Sequence, residues 1–169
     1  MFDLSKYGVR IGLPYLQVDD WFKPVFDRGR DAVFVDTGFL KALVDHTDTR
    51  SSTARLHFAN AKANFYTTNL VLAETVRQIA KTKGADWVTK TRRFGRCEEL
   101  LIDSDQIFVC APPRELILQA YAELKEARQW SQSLDLCDVL SVTVLDYARH
   151  GRVFAFDNEF KQFGAKLEP

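Results

Sequence analysis

Short apolar runs alternate with amphipathic segments along the chain from residue 32 onward. The runs with strand character are AVFV (32–35), FYTT (65–68), QIFVC (106–110) and VFAF (153–156). The segments between them carry apolar residues at helical spacing and include 39–46, 70–81, 86–102, 112–128 and 135–149. Because strands separated by helices form crossovers between parallel neighbours, the sequence predicts an α/β fold with three α/β/α layers and a mostly parallel central sheet.

The spacing of apolar residues also predicts which helix faces pack into the core. A helix that follows Ser51 and Ser52 is expected to place Leu56 inward. In the helix over residues 70–81, Val76 and Ile79 are expected on the buried face.

Residues 1–31 differ in composition from the rest of the chain. Two glycines and two prolines within residues 8–24 disfavour long regular elements, whereas six aromatic residues offer apolar surface for burial. One interpretation is an extension packed on its own domain, and the other is an arm that contacts a partner or a second subunit. The sequence predicts an N-terminal extension over 1–31 and a single domain over 32–169.

The bulk composition narrows the class of protein. Hydrophobic residues make up 46% of the chain, which is enough for a core, and no apolar run approaches the roughly 20 residues that span a bilayer. The first residues carry an early acid and no long apolar stretch, so we expect no secretory signal, no membrane association and a cytoplasmic location. The 23 basic residues balance 23 acidic ones, which argues against a uniformly basic surface but allows a local basic face.

The cysteines and histidines do not form a recognisable site. Cys97, Cys110 and Cys137 make no CxxC pair, and the three histidines make no HxxxH pattern. We therefore expect buried free thiols and no disulfide framework, zinc site or Cys–His catalysis.

Acidic residues stand where predicted strands end. Asp36 directly follows AVFV, Asp157 directly follows VFAF, and Glu74 lies in the helix after FYTT. Because residues just past the carboxyl ends of parallel strands converge on one crevice, these acids are expected to meet in space. Each also has a structural interpretation: Asp36 and Asp157 could cap helices, and Glu74 could be a surface residue.

Asp138 lies in a largely apolar helix. The segment LCDVLSVTVLDY leaves little solvated face, so a carboxylate there is costly unless it is paired or binds a metal. Ser141 lies one turn later on the same side and could hydrogen-bond nearby. Crowded carboxylates repel unless a cation neutralises them, and oxygen-only ligands suit Mg²⁺ or Mn²⁺. The acids together predict metal-assisted hydrolysis of a phosphodiester.

Four stretches of the chain resemble the PIN-domain nucleases, particularly their VapC-type toxin branch. They are VFVDTGFLKALVD (33–45), TTNLVLAETV (67–76), SLDLCDVLSV (133–142) and FAFDNEFKQFG (154–164). The resemblance covers about residues 32–169 and implies a PIN-like parallel sheet flanked by helices, an acid site for Mg²⁺ or Mn²⁺, and RNA as substrate. The residues that match the family's four acids in order are Asp36, Glu74, Asp138 and Asp157, and Thr37 matches a hydroxyl position beside the first acid.

Three positions qualify this resemblance. Asp135 lies one turn before Asp138, and we interpret it as the cap of that helix rather than as the third acid. Gly38 stands where a serine is usual, and Ala155 stands where a hydroxyl residue often precedes Phe-Asp. Both departures remove hydrogen bonds near the metal shell, whereas all four carboxylates are retained, which favours an active enzyme.

A basic segment from Lys81 to Arg96 is a candidate RNA-binding surface. It contains six basic residues and a single acid. Trp87 and Phe94 within it could stack on bases or turn into the core. The residues predicted to contact RNA are Lys83, Lys90, Arg92, Arg93 and Arg96.

Three functions are compatible with these patterns. The first is an endoribonuclease that acts as the toxin of a toxin–antitoxin pair, with an antitoxin partner and, by resemblance, a homodimeric state. The second is a PIN-type ribonuclease with a housekeeping role, and the third is an RNA-binding module without catalysis, which the intact acid set disfavours. A phosphatase of doubly wound fold is a more distant hypothesis, because the chain has no DxDxT motif or glycine-rich phosphate loop.

Overall fold

The computed structural model of the chain describes residues 31–82, 84–100, 106–127, 134–148, 152–162 and 166–168. The strands are β1 (Ala32–Val35), β2 (Asn64–Thr68), β3 (Ile107–Cys110), β4 (Arg152–Phe154) and β5 (Lys166–Glu168). The helices are α1 (Thr37–Val44), α2 (Ser51–Asn60), α3 (Asn69–Lys81), α4 (Trp87–Glu98), α5 (Arg114–Ala127), α6 (Leu136–Ala148) and α7 (Glu159–Gln162). The extension predicted over 1–31 lies outside the described residues except for Asp31, and so does Lys83.

The strands form one sheet in which every neighbouring pair is parallel, in the order β3-β2-β1-β4-β5. This arrangement confirms the predicted parallel sheet. The apolar pattern does not predict β5, because a three-residue edge strand is too short to show a period. The strand pairs with β4, and the ion pair between Arg152 Nε and Glu168 Oε1, at 2.8 Å, ties the two together.

Side chains alternate along the strands and produce two apolar layers. Phe34 and Tyr66 face one layer, where their rings meet edge to face at 5.3 Å and pack with residues of α5 and α6. Val33, Val35 and Phe65 face the other layer, which contains residues of α1, α2, α3 and α4. Helices therefore cover both faces of the sheet, which confirms the three-layer prediction.

The buried face of α2 differs from the prediction. Leu56 is 62% exposed, whereas Ala54 is fully buried. Phe58, one turn after Ala54, stacks on the ring of Phe65 with 4.3 Å between the centroids. The helix therefore turns toward the sheet the face that carries Ala54 and Phe58, and Leu56 points away from it.

The buried face of α3 is only partly as predicted. Ile79 is buried, but Val76 is exposed, and the buried position beside it is Thr75. The Thr75 hydroxyl donates to the Val71 carbonyl oxygen at 2.8 Å, so its polarity is satisfied inside the helix. Among the described helices, none is long and apolar enough to cross a membrane.

Candidate active site

Asp36 follows β1 directly and lies at the carboxyl edge of the sheet. Its Oδ2 accepts a hydrogen bond from the Gly38 N–H at 3.2 Å, so the carboxylate caps α1. Its own N–H donates to the Phe154 carbonyl oxygen at 3.0 Å, which joins the ends of β1 and β4. This bond brings the segment that carries Asp157 beside Asp36.

The environment of Asp36 is apolar and negatively charged. Burial raises the pKa of this carboxyl from 3.8 to about 6, although the backbone N–H groups of Thr37 and Gly38 oppose the shift. The charges of Asp157 and Asp135 raise the pKa further. Asp36 is therefore both a helix cap and a member of a group of interacting carboxylates. The capping role and the predicted approach of other acids do not exclude each other.

Asp138 and Asp135 bind each other's backbone at the start of α6. Asp135 Oδ1 accepts from the Cys137 and Asp138 N–H groups at 2.8 and 3.1 Å, which confirms Asp135 as the helix cap. In return, Asp138 Oδ2 accepts from the Asp135 N–H at 2.9 Å. Burial, followed by the charges of Asp135 and Asp36, raises the pKa of Asp138 against the effect of the Asp135 N–H. We call Asp36, Asp135, Asp138 and Asp157 the acid cluster.

Glu74 is placed differently from the other predicted acids. It lies on α3, where the Nε and Nη2 groups of Arg77 donate to its two oxygens. Gln78 Nε2 adds a third bond at 3.2 Å. The bonds from Arg77 hold the pKa of Glu74 below its usual range, and its main charge interactions are with Arg77 and Lys81 rather than with the acid cluster. Any role as a metal ligand would require Glu74 to separate from Arg77.

The two hydroxyl residues near the acids have partners within the protein. Thr37 Oγ1 lies 4.0 Å from Cys137 Sγ, which connects the start of α1 to α6. Ser141 Oγ donates to the Cys137 carbonyl oxygen at 2.7 Å, so its proton is held within α6 rather than directed at a carboxylate. A Cβ at Gly38 would meet Asp36 Oδ2 at 3.8 Å, an ordinary contact, so space alone does not require glycine there.

The basic segment is less exposed than the sequence predicts. Arg93 is 4% exposed and pairs with Asp45 at 2.9 Å, which corrects its assignment as an RNA contact: it joins α4 to the end of α1. Arg96 Nη1 donates to the Val44 carbonyl oxygen at 3.3 Å and lies 3.2 Å from His46 Nδ1.

The other residues of this segment divide between surface and core. Arg92 is exposed and Lys90 is half-buried, so both remain RNA-binding proposals. Trp87 is 77% exposed, whereas Phe94 packs against the core layer that contains Val33 and Ile79. Of the two aromatic residues, only Trp87 presents its ring to solvent.

The described side chains do not bring three or more acidic, histidine or cysteine residues into position to hold one metal ion. The chemistry of the acid cluster nevertheless suits a hard cation. All its donors are carboxylate oxygens. Burial is the largest cause of the raised pKa of Asp36, and repulsion from the neighbouring carboxylates adds to it. A divalent cation would remove this repulsion.

The raised pKa of Asp36 predicts a stability that depends on pH in protein treated with EDTA. The folded state keeps the Asp36 proton up to about pH 6, whereas an unfolded chain releases it near pH 4. Because the folded state binds more protons in this window, the free energy of unfolding falls as pH rises through it. We expect Asp36→Asn to raise the free energy of unfolding at pH 8 by about 3 kcal/mol and to reduce the fall between pH 4 and 6.

Urea denaturation at a series of pH values measures this effect. Asp146→Asn, which removes an exposed acid from α6, is the matched control and should leave the pH profile unchanged. An identical pH profile for Asp36→Asn and the wild type would contradict the unfavourable burial of this carboxylate.

Comparison with known proteins gives matches at the level of structure. No family model and no curated protein matches the chain. Its fold is similar to that of Mycobacterium tuberculosis VapC20, a sarcin-ricin loop cleaving toxin, with a TM-score of 0.68 and 24% identity over 79% of this chain and 96% of that chain. VapBC2 from Rickettsia felis, bound to a DNA fragment from their promoter, matches with a TM-score of 0.56 and 17% identity over 81% of this chain and 97% of that chain.

A third structure supports the same assignment. FitAcB from Neisseria gonorrhoeae matches with a TM-score of 0.53 and 13% identity over 81% of this chain and 96% of that chain. The four sequence motifs predict a PIN-like fold. The strand order, the helices on both faces of the sheet and the similarity to these structures all agree with it. The chain therefore has the PIN-like fold of the VapC-type proteins.

Proposed function

We propose that the chain is a metal-dependent endoribonuclease that hydrolyses RNA phosphodiester bonds and acts as the toxin of a toxin–antitoxin pair. The observation that carries the proposal is the acid cluster at the carboxyl edge of the sheet, where Asp36 and Asp138 have raised pKa values beside other carboxylates. The similarity to VapC20, described as a sarcin-ricin loop cleaving toxin, supports RNA as the substrate and a toxin as the role.

The residues that would hold Mg²⁺ or Mn²⁺ are Asp36, Asp138 and Asp157, with Glu74 as a fourth. A bound ion would supply an activated water and neutralise charge at the scissile phosphate. The bond from Gly38 N to Asp36, and the bond from Asp135 N to Asp138, fix the directions of two carboxylates before substrate arrives. Asp135 thus positions Asp138 as well as capping α6.

The partners follow from the same proposal. RNA is the substrate, an antitoxin protein is the inhibitor, and a homodimer is the assembly that the family resemblance implies. The VapC-type motifs favour the toxin over a housekeeping ribonuclease. Growth arrest on expression, relieved by the product of a small neighbouring gene, distinguishes the toxin from the housekeeping enzyme.

Cleavage of RNA by the purified protein, with mapped product ends, tests the activity and its metal dependence. We expect cleavage of a panel that includes a sarcin-ricin loop hairpin in the presence of Mn²⁺ or Mg²⁺. EDTA should abolish it, and the products should carry no 2′,3′-cyclic phosphate, because water rather than the ribose hydroxyl attacks.

A readout independent of activity accompanies this assay. Mn²⁺ should raise the melting temperature of the wild type at pH 7.5, and the rise should be smaller for Asp36→Asn. Cleavage that persists in EDTA would contradict the metal mechanism, and the absence of cleavage across the panel with both metals would contradict the nuclease.

A further inference from the structure

Arg77 lies on α3, which packs against α6, the helix that Asp135 caps. Its Nε and Nη2 groups donate to Glu74, one turn earlier in the helix. The bond to Glu74, and beyond it the charge of Asp135, raise the pKa of Arg77. Its side chain is nevertheless 53% exposed, and no residue that the structure describes accepts a hydrogen bond from Nη1. Arg77 therefore presents one edge of its guanidinium to Glu74 and the other edge to solvent.

Arg50 directly precedes α2 and packs against the segment that carries Asp157. Its Cζ lies 4.8 Å from the centre of the Phe156 ring, and Phe156 directly precedes Asp157. Phe156 stacks in turn on Phe39, with 5.4 Å between the centroids, in the first turn of the helix that Asp36 caps. These contacts join Arg50 to the residue before Asp157 and to the first turn of α1.

The guanidinium of Arg50 is held in the same way as that of Arg77. Its Nε and Nη2 groups donate to Asp48 at 3.2 and 3.3 Å. Its side chain is 44% exposed, and within the described part of the chain Nη1 has no acceptor. Each arginine is thus oriented by a nearby carboxylate through one edge while the other edge remains available to a ligand.

We propose that Arg50 and Arg77 form a clamp that binds two phosphates of one RNA strand, so that the strand crosses the carboxyl edge of the sheet over the acid cluster. The clamp rests on the proposed function and specifies the path of its substrate. A planar guanidinium with a free edge binds phosphate well, and a carboxylate on the other edge reduces the freedom that binding would remove. The clamp also supplies positive charge where the acid cluster would otherwise repel the phosphates of RNA.

Binding of a labelled single-stranded RNA in EDTA tests the clamp without cleavage. We expect Arg50→Ala and Arg77→Ala each to weaken binding about five- to tenfold. Each should also reduce the slope of log affinity against log salt by about 0.7, and the double variant by about twice that amount. Lys125→Ala is the control, because it removes an exposed cation that lies over the Tyr121 ring on α5. This variant should bind RNA with the affinity of the wild type.

Glu74→Gln separates the clamp from an indirect effect through Glu74. The glutamine oxygen can still accept a bond that orients Arg77, and the variant loses a negative charge that would repel a nearby phosphate. RNA binding in EDTA should therefore be retained or strengthened, whereas Arg77→Ala weakens it. If Arg77→Ala and Glu74→Gln weakened binding equally, Arg77 would act by positioning Glu74, and the clamp would be wrong.

Binding and cleavage fail independently in this design. If the wild type cleaves RNA but both arginine variants bind with its affinity and salt slope, the clamp is wrong and the nuclease proposal stands. If binding depends on both arginines but no RNA is cleaved with metal, the nuclease proposal is wrong and the clamp stands. The clamp is also wrong if the wild type binds no RNA. It is equally wrong if the wild type binds an acidic peptide more tightly than it binds RNA.

Discussion

Replacement of Asp138 by asparagine is expected to reduce metal-dependent RNA cleavage by about 100- to 1,000-fold. This loss corresponds to about 3–4 kcal/mol of transition-state stabilisation, the scale expected when a metal-binding carboxylate is removed. The amide oxygen of asparagine can still accept the Asp135 N–H, so the start of α6 is retained. Loss of the buried charge also removes its repulsion with Asp135 and Asp36, so the variant should be at least as stable as the wild type.

Initial rates of RNA cleavage in Mn²⁺, together with urea denaturation of the same samples, measure these two effects. Asp146→Asn is the matched control, because Asp146 is an exposed acid at the other end of α6. It should cleave at the rate of the wild type. Equal rates for Asp138→Asn and the wild type would remove Asp138 from the active site, and a variant that failed to fold would contradict the expected stability.

The fold can be predicted from the sequence because four of the five strands contain short runs rich in β-branched and aromatic residues. AVFV and FYTT are bounded by residues that begin helices, and in the structure Asp36 and Thr68 cap α1 and α3. Helix faces are harder to predict. Thr75 occupies a buried position because its hydroxyl bonds to the helix backbone, while the more apolar Val76 is exposed. Hydrophobicity alone would place Val76 in the core rather than Thr75. It takes no account of the hydrogen bond that the Thr75 hydroxyl makes to the backbone of its own helix.

The acid cluster can be predicted in part for two physical reasons. Asp36 and Asp157 follow strands, and parallel strands end at one edge. Asp138 lies in a helix too apolar to leave a carboxylate unsupported. The sequence predicts only a capping role for Asp135, because its charge interaction with Asp36 depends on how α6 approaches β1. The position of Arg50 depends on its contact with Phe156, which no sequence spacing reveals.

Arg93 shows why basic residues cannot be assigned to RNA from their spacing. It lies among exposed basic residues in sequence, yet its guanidinium is buried between α4 and the end of α1. Nη2 lies 2.9 Å from Asp45 Oδ1 in an ion pair and donates to Thr47 Oγ1, also at 2.9 Å. Thr47 Oγ1 in turn donates to Asp45 Oδ1 at 2.7 Å. Among the described residues, Nε and Nη1 of Arg93 have no hydrogen-bond partner. The pair with Asp45 is therefore the main compensation for burying this charge.

Removal of the Asp45 carboxylate is expected to destabilise the protein strongly. In Asp45→Ala, the guanidinium of Arg93 would remain buried without an opposite charge, which costs about 3–5 kcal/mol. Thr47 would also lose the acceptor of its N–H and hydroxyl bonds. The free energy of unfolding from urea denaturation at pH 7 measures this loss, and a fall in melting temperature should accompany it.

Two further variants separate the buried charge from the loss of a side chain. Asp31 pairs with Arg152, and the Asp31 side chain is 78% exposed. Because exposed ion pairs contribute little, Asp31→Ala should change the free energy of unfolding by less than about 1 kcal/mol. In Asp45→Ala combined with Arg93→Met, no charge remains to be compensated, so the double variant should recover at least half of the loss. If the double variant were as unstable as the sum of the single variants, the two residues would be energetically independent. The stability of the α1–α4 contact would then come from packing rather than from this ion pair.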